Sequence, residues 1–535
     1  MANDFIYSPG GALCGECAPT ERYLTITSVS TMFPAQTQAP VLQHVWPVFE
    51  GGRWARFGAV LLGLCGIVVL PAFQVLPVRG LEPYDAHRLV QVGILMGGAL
   101  ALVTRQGLRQ EAAKSWRRLP GWARLGLLAG GGLGLASTLQ AAVPVVALLE
   151  WGHLVLLWLL ALLVAAAFRI WEERGDRLLL AVVLVSAGCY LLRFGATTLV
   201  HLGWGLPAWP KSGLGFSHPR FFNQYQSWVL PLLVVPLIWR GASVWLKRGS
   251  LLATVCFWML LLGSGGRGTL VALGVAGLTV ALLMGRPGRR WLFVQLGAAG
   301  AGLLLFLAGQ AQGWIASGGL LARNVLTDSG RLAMWRHAWE LMEQHPWLGV
   351  GPMHFAYAPY GSGLAHPHSV LFQWLAEWGV PATLVLGALV VIGTLRWLGY
   401  ARRRVRHAGT GFEGAMRVGL TASLVAGSAH ALVSGVVVMP VSQLLLAVII
   451  GRLLAEVPAY RVEQRPTWSR RGVALAAVVG LLAMAPALIR DLPALTERKE
   501  QYFEATGSLR LSPRFWQQGR FGYEASAFVA SERKQ

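Results

Sequence analysis

Charge is what this chain has least of, and acidic charge above all. Only 13% of its 535 residues are Asp, Glu, Lys or Arg, with 24 acids against 46 Lys and Arg. Soluble globular chains carry about 25% charged residues, so a soluble domain of this size is excluded. Cysteine is also scarce, at five residues. Cys65, Cys189 and Cys256 lie inside apolar runs and read as packed thiols. Cys14 and Cys17 form a Cys-x-x-Cys with no second pair, which is half a zinc site and reads as incidental. No internal repeat is present, so the inverted-repeat pattern of many transporters is missing. Residues 1–50 have no charged n-region, apolar core and cleavage site in series, and read as a flexible cytoplasmic tail.

What fills the chain instead is apolar. Hydrophobic residues make up 55% and the mean hydropathy is +0.52. The apolar runs are about 17–25 residues long, which matches a bilayer core. The expected fold is all-α: a polytopic helical membrane protein with about 13 transmembrane helices. Expected spans are 57–76, 88–104, 124–143, 145–168, 178–199, 222–239, 250–264, 268–285, 291–310, 380–398, 417–433, 441–456 and 472–489. Clusters such as Arg402-Arg403-Arg404 and Arg286 with Arg289-Arg290 fall in alternate short loops. The positive-inside rule then puts the N-terminus in the cytoplasm and accounts for most of the +22 net charge without nucleic acid. This gives a cytoplasmic tail over 1–55, a bundle of nine spans over 56–310 and an outside loop over 311–379. Four more spans follow over 380–489, then an outside tail over 490–535 that reads as a small helical appendage.

The outside loop is the one long connection that is neither short nor simply basic. It includes Asp328-Ser329-Gly330-Arg331, and the helical spacing of Leu332, Trp335, Trp339 and Met342 follows. That spacing predicts an amphipathic helix on the membrane surface, capped by Asp328 or Ser329 and stopped by Pro346. Arg331 in its first turn opposes the helix dipole unless an anion is bound there. After Gly349-Val350-Gly351-Pro352 comes His366-Pro367-His368-Ser369. A metal needs more ligands than two His, and no outside loop contains Asp-x-Asp or Trp-Trp-Asp. A neutral imidazole serves better as a base for an attacking hydroxyl, at His368 or, second, His366.

Other outside loops add cations and amides. Arg193 lies in an apolar run, where charge is costly and usually functional or paired. Lys211, His218 and Arg220 precede Phe222-Asn223-Gln224. The turn Gly263-Ser264-Gly265-Gly266-Arg267-Gly268 leaves backbone N–H groups open to an anion, with Arg267 suited to a bidentate phosphate contact. A transporter or lipid flippase would show more mid-span charge than Arg193 and Glu150. A purely structural protein would leave the arginines and His368 unexplained.

These residues carry a resemblance. His368, Ser369 and Gly379 match in register a His-[Asn/Ser/Gln]-x9-Gly-x-x-[Gly/Thr/Tyr] pattern, with Ala382 departing at the last place. The pattern resembles that of the bacterial O-antigen ligase / O-antigen polymerase superfamily. Ser329-Gly330-Arg331 with Trp335, Gly349-Val350-Gly351, Gly265-Gly266-Arg267-Gly268 and Phe222-Asn223-Gln224 resemble further segments of it. The tail Ser512-Pro513-Arg514-Phe515-Trp516 is most similar to the protein O-oligosaccharyltransferases of the pilin-glycosylating type. The resemblance implies an inner-membrane glycosyltransferase with its site facing the periplasm and no cofactor. Its donor would be an oligosaccharide on undecaprenyl pyrophosphate, and its acceptor a pilin-like protein or, alternatively, lipid A-core or a growing glycan. It implies His368 or His366 as the catalytic base. Arg331, Arg267, Arg220, Arg193, Asn223 and Gln224 would bind the pyrophosphate and glycan.

Overall fold

The computed structural model describes residues 81–206, 215–315, 330–361, 363–456, 466–508 and 512–523, and every statement of absence below refers to these. The expected N-terminal tail and first span, Cys14, Cys17, Cys65, Lys211, Asp328 and Ser329 lie outside them.

The described chain is helical, and one isolated bridge between Tyr357 and Phe521 is its only β pairing. In order, the helices are α1 (Pro83–Thr104), α2 (Gln106–Arg118), α3 (Gly121–Gln140), α4 (Pro144–Gly203) and α5 (Pro219–Leu233). Then come α6 (Val244–Ser264), α7 (Arg267–Leu283), α8 (Gly285–Ala311), α9 (Arg331–Gln344) and α10 (Val370–Ala408). The last are α11 (Phe412–Ala431), α12 (Pro440–Glu456), α13 (Pro466–Pro486) and α14 (Leu495–Thr506). Helices thus occupy the positions of the remaining expected spans. Six segments are long and apolar enough to cross a membrane: α1, α4, α6, α8, α10 and Trp468–Asp491. The 17-residue α7 is apolar but shorter. Others are short or diluted by polar side chains, as α5 is by Asn223, Gln224, Gln226 and Ser227.

Helix α4 is two expected spans joined at a kink, where Glu172 has φ +47°. The charged turn at that kink is pinned from inside the bundle. Arg452 of α12 makes a two-pronged contact with Asp176, at 2.5 and 2.7 Å. Glu456 links Arg452 to Arg417 of α11. Buried charges tolerate a low dielectric only when paired in this way.

Close helix contacts come from small residues, as expected where lipid supplies no hydrophobic drive. Gly126, Gly130 and Gly134 form a four-residue-spaced stripe on α3. A methyl group at these places would lie 2.8 Å from Leu389, 2.7 Å from Leu386 and 2.0 Å from the Trp378 ring. The stripe is the seat for α10, the helix that leads out of the histidine loop.

Helix α9 ends just before Pro346, as the sequence predicts, but its N-cap is Gly330, with no side-chain cap, rather than Asp328 or Ser329, and it has a second apolar stripe. Met334, Ala338, Leu341 and Met342 are buried, and α9 packs against α10. Leu332 and Trp339 stay exposed, at 60% and 47%. The tail differs more. Beyond α14, residues 512–518 are largely buried in the bundle rather than forming an appendage.

Candidate functional site

The histidine loop is held between α9, α10 and the corner that follows α11. Trp335 of α9 donates from Nε1 to the Pro367 carbonyl at 3.0 Å and stacks on Phe372 of α10. His366 is buried, and its ring centroid is 4.2 Å from that of His368. On its other side is Gly435, where an added Cβ would lie 2.4 Å from the imidazole. The His368 backbone N–H donates to His366 Nδ1 at 3.2 Å. The neutral His366 ring therefore keeps its proton on Nε2. Burial, then the neighbouring His368 and Arg514, hold its pKa well below the ordinary imidazole range. Its one basic nitrogen is already committed, so His366 is poorly suited to accept a proton. His368 is half-buried and has φ +53°, a left-handed conformation that a non-glycine residue adopts at a cost. Such strain persists only where the surroundings impose it.

Helix α10 is broken at Gly379, with φ +77°. Its first part, 370–378, is a half-helix beginning two residues after His368. The break exposes its last carbonyls, which the chain before the loop satisfies. Val350 and Gly351 donate to the Ala376 and Glu377 carbonyls at 2.9 and 3.0 Å, and Val380 donates to Pro346 at 2.8 Å. So close a backbone approach explains Gly349: it has φ +67°, and a Cβ would lie 2.4 Å from the Glu377 carbonyl carbon. Gly349→Ala is expected to destabilise the protein by about 2–4 kcal/mol, from a disfavoured φ plus overpacking. Thermal unfolding in detergent measures it; an unchanged midpoint would remove this role.

Glu377 is fully buried. One carboxylate oxygen accepts the Phe355 N–H at 3.2 Å, and the other takes Arg514 Nη2 at 2.6 Å. Arg514 also reaches Glu150 of α4, at 3.4 Å. The neighbouring His354 is satisfied at both ring nitrogens, by the Val143 N–H and the Pro352 carbonyl. Burial takes its pKa down to about 4, so it is a neutral structural histidine.

The amide helix α5 faces the same corner. Pro219 begins it and His218 caps it, accepting the Arg220 N–H. The orientation of Asn223 follows from a chain of bonds that ends on a backbone carbonyl. Gln226 Nε2 donates to the Phe257 carbonyl at 2.7 Å, so its Oε1 is an acceptor and takes Asn223 Nδ2 at 2.9 Å. Ser264 spends its proton on the Leu261 carbonyl and likewise accepts from Asn223 Nδ2. Asn223 Oδ1 is thus an acceptor, buried and without a partner. Gln224 donates to Ser434 at 3.1 Å, and its Oε1 is also unpartnered. Ser434 precedes the Gly435 that touches His366.

The glycine turn lies against these amides. A Cβ on Gly266 would be 2.8 Å from Asn223, and one on Gly268 would be 2.8 Å from His430. Between them Arg267 starts α7. His430 bonds Ser227 at 2.8 Å, and Arg331 lies within electrostatic range of it. The corner 430–435 therefore connects four features the sequence singled out: the histidine loop, the amides, the Gly-Arg turn and the start of α9. Arg193 lies beside Tyr190 and His87, and Arg220 is exposed at the start of α5. Sequence reading missed His430, Ser434 and Gly435, and it named Arg514 only as part of the tail motif, without its partner Glu377. A lone His in an apolar run was the available signal for His430; nothing local marked Ser434 or Gly435. Among the described residues, no group of three or more His, Cys, Asp or Glu is placed to hold a metal ion.

Fold and site together define a multi-pass helical membrane protein with a polar, arginine-flanked site against a histidine loop. Residues 252–387 match the Wzy_C family, described as O-antigen ligase. That match, over this segment alone, is consistent with the O-antigen ligase superfamily. That stretch holds Arg267, Arg331, His366, His368 and Gly379; the amides, the 430–435 corner and Arg514 lie outside it. No curated protein matches the chain.

Proposed function

We propose that this protein transfers an oligosaccharide en bloc from undecaprenyl pyrophosphate to an acceptor hydroxyl at the periplasmic face of the inner membrane. The thirteen-span topology belongs to the same proposal. One observation carries it: the histidine loop and Gly-Arg turn of the O-antigen ligase segment meet a buried amide cluster at one corner. His368 takes the proton of the acceptor hydroxyl. The oxygen attacks the anomeric carbon, the bond from that carbon to the phosphate oxygen breaks, and the electron pair leaves on the pyrophosphate. Arg267 and Arg331 stabilise that charge, with Arg193 and Arg220 on the same face. In one step this inverts the anomeric configuration. Asn223 Oδ1 and Gln224 Oε1 are acceptors, which phosphate oxygens would repel, so they suit hydroxyl or N–H donors of the first sugar.

The acceptor reading follows the tail resemblance: a Ser or Thr on a pilin-like protein. The family description favours a second acceptor, lipid A-core. Purified protein with lipid-linked oligosaccharide and either acceptor separates them. Transfer to the pilin-like protein is expected; transfer to lipid A-core alone would overturn the acceptor assignment, and transfer to neither would overturn the reaction. Chelation is expected to leave the rate within about twofold, because arginines rather than a metal neutralise the leaving group. Loss of transfer on chelation would sink the metal-independent mechanism.

A further inference from the structure

The C-terminal tail enters the bundle as a strap with two fixed ends. Arg88 of α1 donates from Nε to the Phe515 carbonyl at 2.6 Å and from Nη2 to the Arg514 carbonyl at 3.1 Å. Its guanidinium also sits 4.8 Å from the centre of the Phe515 ring. Further on, the Phe521 carbonyl accepts from Ala358 at 2.7 Å, and its N–H donates to Ala356 at 3.3 Å. At the first of these anchors Arg514 is 1% exposed. It is aimed at Glu377, the buried carboxylate of the half-helix 370–378.

That half-helix has a break at each end. Before it, His368 is in a left-handed conformation; after it, Gly379 is too. A helical piece of this kind is oriented by what its buried side chains bind. Glu377 binds the strap on one oxygen and the 351–355 segment, through Phe355, on the other. Rotation of 370–378 about its axis would carry His368 with it.

We propose that Arg514 is a positioning residue for glycan transfer: through Glu377 it sets the rotation of the half-helix and so the placement of His368. This rests on His368 being the base, as above. Arg514 is buried on Glu377 and Glu150, and as a positioning residue it acts through them, so its loss should act on kcat and not on donor KM.

The test uses the purified full-length protein. Arg514→Gln is expected to lower kcat about 10- to 100-fold, the scale of a small misplacement of a reacting group. Donor KM should stay within about threefold, and deuterium uptake over 351–378 should rise. Arg514→Lys keeps the cation and should recover most of kcat. Arg514→Gln strands Glu377 as a buried charge and is at risk of not folding. The neutral pair Arg514→Gln/Glu377→Gln removes that charge, and Glu150, the other carboxylate Arg514 reaches, keeps His153 at 3.9 Å; the pair is expected to fold and to keep the kcat defect. Wild-type kcat in either folded variant would overturn the proposal. So would a raised donor KM with intact kcat, which would mean a donor contact. If the wild-type protein transfers no glycan, the reaction reading has failed. Deuterium uptake then decides the clamp alone: a rise over 351–378 in Arg514→Gln sustains it, and no change overturns it.

Discussion

Replacing His368 by Ala is expected to lower kcat for glycan transfer by about 10²–10⁴-fold, the usual contribution of a positioned general base. Donor binding should change little, because the base acts on the acceptor hydroxyl. The residue that remains must still adopt φ +53°. Asn tolerates that region better than Ala, so His368→Asn is the cleaner variant and should show the same loss with a smaller stability change. His366 makes the contrast. It packs against Gly435 and accepts the His368 N–H. Its removal should lower activity by displacing His368 and should also lower the unfolding midpoint. Single-turnover rates and thermal unfolding on the same preparations check both. Full transfer by folded His368→Asn would rule out this residue as the base.

The second large effect is expected at the two arginines. Arg267→Ala and Arg331→Ala should each lower kcat by about 10²–10³-fold, the range seen when one stabilising donor is removed from a developing charge. Lysine at either position should restore only part of the loss, because it lacks the planar fork that holds two phosphate oxygens. The double variant should fall short of the product of the single losses, since both residues act on one leaving group. If both single variants keep wild-type kcat/KM, the clamp is elsewhere, and Arg193 and Arg220 are the next pair to test. The glycine turn bears on this prediction as well. Gly266 and Gly268 admit Asn223 and His430 at distances no Cβ allows. Enlarging either glycine should therefore move Arg267 even though its charge is intact.

The scaffold was legible in the sequence because lipid leaves an uninterrupted apolar run of this length one solution, the helix, and imposes that length on it. The apolar runs therefore located all six described segments long enough to cross a membrane, and Arg331 to Gln344 lies within the expected helix. His368, Ser369 and Gly379 were legible as a spacing. Its physical content is now plain: it sets the length of a half-helix between two left-handed residues.

Periodicity could not say which side of α9 faces inward, because the helix carries two apolar stripes. The Met334–Ala338–Leu341–Met342 stripe docks, while Leu332 and Trp339 remain outside. Sequence distance also hid the corner 430–435 and Arg514, which are close to the histidine loop only through packing. A single buried cation in a tail looks like any surface arginine until its carboxylates are located. By itself, then, the sequence determined an all-helical membrane chain and the residue types of its site, since these follow from hydropathy and local spacing. Only the tertiary structure decided that the basic nitrogen of His366 is occupied and which way the Asn223 amide points. It alone joined the C-terminal strap to Glu377. Each of these depends on one hydrogen-bond partner supplied by the fold, and hydropathy and spacing carry no record of such partners.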